Sequence, residues 1–136
     1  MLAASIIDPK GLDTLKAAGA SARITFDFTK LALSAQETKR RVSNLAALFI
    51  GKTEKTYDVT LTAIKSAKSA AFSVDAGIAS SNDGALLGAN PPSPLNALVG
   101  LNVNQPFVLE IDRTGVANEL GRLFDVVLYV EYTAVF

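Results

Sequence analysis

Three carboxylates, Glu110, Asp112 and Glu131, stand on or beside stretches of this sequence that alternate like strands. Two of them facing each other would suit glycoside hydrolysis, where one acid protonates the leaving oxygen and the other acts from the opposite side of the ring. A solvent-facing strand position accounts for each of them without any chemistry, and that is the expectation here. Asp83, in Asn82-Asp83-Gly84, is an oxygen donor of the kind calcium takes, but the full run of oxygen ligands is missing. Turn formation explains the tripeptide better. Histidine and cysteine are both absent. Their absence removes Ser-His-Asp and Cys-His nucleophilic systems, the usual zinc ligand sets, the commonest base near neutral pH, and any disulfide framework. Gly11, Gly19, Gly51 and Gly77 are isolated, so no glycine loop cradles a phosphate. No catalytic residue, metal-ligand set or cofactor is expected.

What remains is recognition by surface. Sugar platforms need aromatic faces, yet Trp is absent and the amphipathic rings are Tyr57, Tyr129 and Tyr132. Tyr57 and Tyr132 share strand faces with aliphatic residues and read as core or core edge. Tyr129 points the other way from Tyr132, beside Glu131, and is the candidate surface contact. Thirteen basic and thirteen acidic residues cancel and are dispersed, which gives no electrostatic reason for nucleic acid or anionic lipid to bind. The short basic run Lys39-Arg40-Arg41 reads as a solvated strand end. No apolar stretch approaches the roughly 20 residues of a membrane helix, so no membrane span is expected. The apolar start, Met1 to Ile7, lacks the positive leader of a signal peptide and is broken at Asp8-Pro9. Such a start is expected of a chain cut from a longer one. The partner class left is protein, either another chain or a second copy.

The elements that would position these residues are mostly strands. Asp8 as N-cap and Pro9 at the first helical position open a short helix through Leu12 and Leu15, with Gly19 as its C-terminal cap. Ala22 to Phe28 alternates, placing Ile24, Phe26 and Phe28 on one face. Lys30 to Thr38 fits a helical turn or a loop. Arg41 to Ile50 is an apolar run, unbroken from Leu45, and reads as a strand buried on both faces. Tyr57 to Ala63 alternates again, and the polar stretch between these two predicts an antiparallel hairpin. Ala70 to Val74, Phe107 to Ile111 and Phe124 to Val135 complete the strand set, the last being the longest and richest in Val, Leu and Tyr. Ser80 to Pro94 holds three prolines within four residues and is the main irregular segment. Its Asn82, Asp83 and Asn90 are the candidate interaction loop. The fold class expected is all-β: an antiparallel β-sandwich with one short N-terminal helix, forming a single domain over residues 1–136.

Several of these segments resemble the C-terminal β-sandwich of the large A subunits of Tc insecticidal toxin complexes. The motifs are short and spread over most of the chain. Ile7-Asp8-Pro9 with Leu12, Leu15 and Gly19 is similar to the family's Pro, Leu and Gly stretch before a Phe-containing strand, here Ile24 to Phe28. Arg40-Arg41-Val42 resembles its Arg-Arg-Ile, and Val59-Thr60-Leu61-Thr62 its Ala-Thr-Leu-Thr. Ile78-Ala79-Ser80 and Asn82-Asp83-Gly84 resemble an Ile-Ala-x-Ser followed by Asn-Asp-Ser-Gly. Asp125 to Leu128 with Tyr132-Thr133-Ala134 is the nearest piece, similar to a closing Asp-Val-x-Leu…Tyr-Thr-Ala strand. The family's Asp-Tyr-Pro-Gly-His-Tyr element is replaced by Leu31 to Thr38, its Gly-Pro-Tyr turn by Gly51 to Thr56, and its Leu-Pro-Phe-x-Gly segment is not recognisable around Leu95 to Gly100. The resemblance implies a sandwich that docks the B subunit of an exported complex. The departures fall in loops, where partner contacts reside.

Three functions follow as expectations. The first is a non-catalytic protein-binding or assembly β-sandwich resembling that toxin docking domain. The second is a self-assembling structural subunit of a shell, fibre or filament. The third is a carbohydrate-binding module.

Overall fold

A computed structural model describes residues 2–16, 23–30, 38–51, 56–74, 77–80, 94–112 and 120–135. In chain order the strands are β1 (Leu2–Ala3), β2 (Arg23–Asp27), β3 (Thr38–Gly51), β4 (Tyr57–Ala63), β5 (Lys68–Val74), β6 (Ile78–Ser80), β7 (Pro106–Ile111) and β8 (Leu123–Val135). Two short helices, α1 (Ala4–Ile7) and α2 (Pro9–Lys16), lie between β1 and β2. Single 3-10 turns cover Phe28–Lys30, Pro94–Leu98 and Leu120–Arg122.

The strands form two four-stranded antiparallel sheets, β1-β8-β3-β6 and β2-β7-β4-β5. First pairs with eighth, second with seventh, third with sixth and fourth with fifth. That nested pairing is the winding of a jelly roll, in which a long antiparallel ribbon wraps so that its strands fall alternately into two facing sheets. The all-β antiparallel sandwich expected from the sequence is the architecture observed.

Period-two alternation builds the core. Ile24 and Phe26 of β2, Tyr57, Val59, Leu61 and Ala63 of β4, Ala70, Phe72 and Val74 of β5, and Phe107, Leu109 and Ile111 of β7 all point inward and are buried. The first sheet answers with Val42, Leu45, Ala47 and Phe49 of β3 and Leu123, Val126 and Leu128 of β8. Val42 and Leu45 share a face although three residues apart, because a bulge between Val42 and Asn44 inserts one extra residue against β8. Phe49 and Tyr57, from opposite sheets, meet with ring centroids 5.1 Å apart, and Phe28 meets Phe107 edge-on at 5.5 Å.

Two expectations need correction. Arg41 to Ile50 is not buried on both faces: Ala46 and Leu48 are half-buried and Ile50 is exposed. A continuous apolar run serves equally a strand covered on two sides and one whose outer face stays apolar in water. Nor do β3 and β4 form a hairpin, since they belong to different sheets. A short polar connection can fold a strand back on its neighbour or carry it across the sandwich, and the Phe49–Tyr57 contact goes with the crossing. The tight hairpin is β4–β5, turning through Ile64 to Ala67. Gly51 ends β3 at φ +154°, where a Cβ would come within 2.5 Å of the Arg122 carbonyl oxygen. The chain can leave the sheet at that point only without a side chain.

The helix opens where the sequence places it. Asp8 Oδ1 accepts the Gly11 N–H at 3.1 Å, an N-cap bond, while Oδ2 accepts the Thr25 N–H at 3.0 Å. One carboxylate thus ties the helix start to β2 and occupies a donor on that edge strand. The predicted cap Gly19 lies outside the described residues. Gln105 is the single buried polar side chain among them. Its amide accepts from the Ser66 N–H at 3.0 Å and donates to Ser66 Oγ and the Asn102 carbonyl, which staples the β4–β5 turn to the segment before β7.

Two substitutions test this packing. Leu128→Asp places an unpaired charge at a position with no exposure and is expected to leave the chain unfolded, as read by the loss of a cooperative melt. Asp8→Ala removes both carboxylate bonds and is expected to cost about 1–2 kcal/mol in urea denaturation. A parent-like midpoint would show that Asp8 does not hold helix and edge strand together.

Candidate interaction surface

The two outer faces of the sandwich differ in chemistry. On β2-β7-β4-β5 most outward residues are polar, with Val108 and Ala71 among them, and three polar pairs close in register. Arg23 donates to Glu110 at 2.9 Å, Ser73 to Asp58 at 3.1 Å, and the Thr62 and Ser69 hydroxyls lie 3.0 Å apart. Each pair is directly opposite across a ladder, the arrangement in which cross-strand side chains support a sheet. The Arg23–Glu110 ion pair is solvent-exposed and contributes little by itself. Asp58, Thr60, Ser73, Glu110 and Asp112 border an open hollow of about 500 Å³ on this face.

This geometry settles where the sequence's carboxylates stand. Glu110 and Asp112 share the hollow, with Glu110 engaged by Arg23. Glu131 is on β8, in the other sheet, and does not join them. Among the described residues no group of His, Cys, Asp and Glu is placed to hold a metal ion.

The outer face of β1-β8-β3-β6 is apolar over its centre. Successive cross-strand rows carry Ile50 with Asp125, Leu48 between Ile78 and Val127, and Ala46 beside Tyr129. Ile50 is 46% exposed, Ile78 52%, Phe124 64% and Tyr129 41%. Phe124 reaches this face because β8 bulges there: Ile50 pairs with Asp125 and the next residue, Gly51, with Leu123. Val127 is buried yet stands outside the hydrophobic core cluster, as its outward direction between Val126 and Leu128 requires. Toward the start of β3 the face becomes charged, with Arg41 opposite Thr133 and Asn44 opposite Glu131.

Tyr129, the contact expected from the sequence, belongs to this face. Its hydroxyl donates to Glu131 Oε1 at 3.1 Å, and Asn44 Nδ2 donates to Glu131 Oε2 at 3.0 Å. The hydrogen bond to the carboxylate, and then its negative charge, hold the phenol above the usual tyrosine pKa. Tyr57 is fully buried and Tyr132 packs at the core edge, as expected. Asn82, Asp83 and Asn90, the expected interaction loop, lie outside the described residues. The apolar residues around Tyr129 were not anticipated. Their signal was present in the unbroken run Leu45 to Ile50, which read as two-sided burial.

No family model, curated protein or solved structure matches the chain. No helix among the described residues is long and apolar enough to cross a membrane.

The phenol's environment gives a direct check. Glu131→Ala removes both the acceptor and the charge, and is expected to lower the Tyr129 pKa in an NMR titration of the tyrosine Cζ signals. An unchanged titration would mean that Tyr129 and Glu131 do not face each other in solution.

Proposed function

We propose that this chain is a non-catalytic assembly module that binds another protein surface through the outer face of β1-β8-β3-β6. The observation that carries this reading is the contrast between its two outer faces. One is mostly polar and closes three side-chain pairs across its ladders, whereas the other leaves Ile50, Ile78, Phe124 and Tyr129 in water around Leu48 and Ala46. A contiguous apolar area rimmed by polar residues is what a protein interface leaves on the free subunit.

The winding supports the same conclusion when weighed against the other uses of this architecture. Jelly rolls occur as shell-forming subunits, lectins and cupins, and fold alone does not choose among them. Metal-dependent cupin chemistry draws on histidine ligands, and the chain has none. Sugar platforms need outward aromatic faces, but the polar sheet offers Thr, Ser, Asp and Glu. Assembly needs an apolar contact surface, which is present. The toxin-docking reading places a different protein on the chain. Its nearest motif, Asp125 to Leu128 with Tyr132 to Ala134, runs along β8, the strand that carries Tyr129 on this face.

The paired substitution Ile78→Lys with Phe124→Glu is expected to leave the melting temperature near that of the parent, because both side chains are exposed. It is also expected to abolish the concentration-dependent attraction between molecules measured by static light scattering. Equal attraction in parent and variant, or equal loss on changing Thr60→Lys on the polar sheet, would overturn the reading.

A further inference from the structure

We propose that the apolar face is self-complementary and docks a second copy of this chain across a two-fold axis running along the β3–β8 seam. The inference rests on the assembly reading above and names its partner. Its basis is the register of the two central strands. A two-fold along the seam lays β3 of one copy over β8 of the other, so each residue of one strand meets its own cross-strand partner's counterpart.

Size then matches row by row, and opposite charges come within one row of each other. Tyr129, the large outward ring of its row, comes over Ala46, the small residue opposite it in the ladder. Leu48 comes over the row of Val127, which is already buried in the single copy, and Ile50 over the bulge that presents Phe124. At the charged end, the outward cation on β3 is Arg41, beside exposed Lys39, and the outward anion on β8 is Glu131. Exchange of the strands sets Arg41 of one copy over Thr133 of the other, two residues along β8 from Glu131 and within the reach of an arginine stem, twice per dimer.

Neither charge is compensated within the described residues. Glu131 accepts from two neutral groups, Asn44 and Tyr129, and the Arg41 guanidinium donates to the Arg40 carbonyl. A chain with no net charge also brings no long-range repulsion to the approach of a second copy.

The footprint sets the strength. The seam from Arg41 to Ile50 covers about 30 Å of strand, and three strands span about 14 Å across. This is small against the roughly 800 Å² per partner of a standard interface, so the dimer forms weakly and with concentration. Aligned stacking of the two faces is the packing that twisted sheets adopt elsewhere.

The test uses the full chain and two charge-reversed forms, Arg41→Glu and Glu131→Arg, in sedimentation equilibrium over a concentration series. Each form alone sets like charges against each other and is expected to weaken dimerisation by about tenfold or more. Mixed in equal amounts they restore opposite charges at both contacts, and the mixed dimer is expected to recover the parent's affinity. Circular dichroism melts establish that each form is folded, with Arg41→Ala and Glu131→Gln as milder substitutes. A parent that stays monomeric, or a mixture no more associated than its components, overturns the inference. Association that ignores the charge reversals but is lost in the Ile78→Lys, Phe124→Glu form would leave the assembly reading intact and remove this geometry. Association that ignores both sets would remove both.

Discussion

The inner faces of the two sheets leave water only by covering each other, and every other feature of this fold accommodates that requirement. Four strands on each side must present apolar residues at alternate positions, and the chain must cross between sheets without exposing backbone donors. The Phe49–Tyr57 contact shows how the crossing is held: the last inward ring of β3 and the first of β4 meet across the sandwich. Where strict alternation would turn a needed residue outward, an extra residue restores the phase, as between Val42 and Asn44. The edge of β2 is managed by Asp8, whose carboxylate caps α2 and takes the Thr25 N–H.

The same rule gives the outer faces their significance. With the core complete, a sheet's second face answers only to solvent or to a partner. The β2-β7-β4-β5 sheet answers to solvent, with Arg23 to Glu110, Ser73 to Asp58 and Thr62 with Ser69 each closed in register. The β1-β8-β3-β6 sheet carries Ile50, Ile78 and Phe124, whose exposure has no use in the folding of a single copy. Apolar surface kept in water opposes nothing in the core and favours association, because removing it from water is the dominant favourable term in most protein contacts. Tyr129 and Glu131 mark where that surface passes from apolar to charged.

Much of the sandwich was readable in the sequence, because half-buried strands write their burial as alternation. Ile24 and Phe26, the Tyr57 to Ala63 series, and Phe107 to Ile111 were identified with their inward faces. The Asp8-Pro9 helix start was equally plain, since a cap and a proline are local chemistry. Pairing was not readable in the same way. Whether β3 and β4 are neighbours depends on which rings meet at distance, and the connecting residues alone do not encode it. The apolar outer face was half readable. Tyr129 stood out by its direction against Tyr132, but Leu45 to Ile50 looked buried on both sides. A strand whose outer face is apolar in water has the composition of one buried on both faces.

The measurement that bears most directly on this account is the concentration dependence of the backbone amide spectrum of the full chain. Shifts on dilution are expected to cluster at Ala46, Leu48, Ile50, Ile78 and Tyr129, while Thr60, Ser73 and Glu110 stay still. Shifts confined to the polar sheet, or a spectrum independent of concentration, would contradict it.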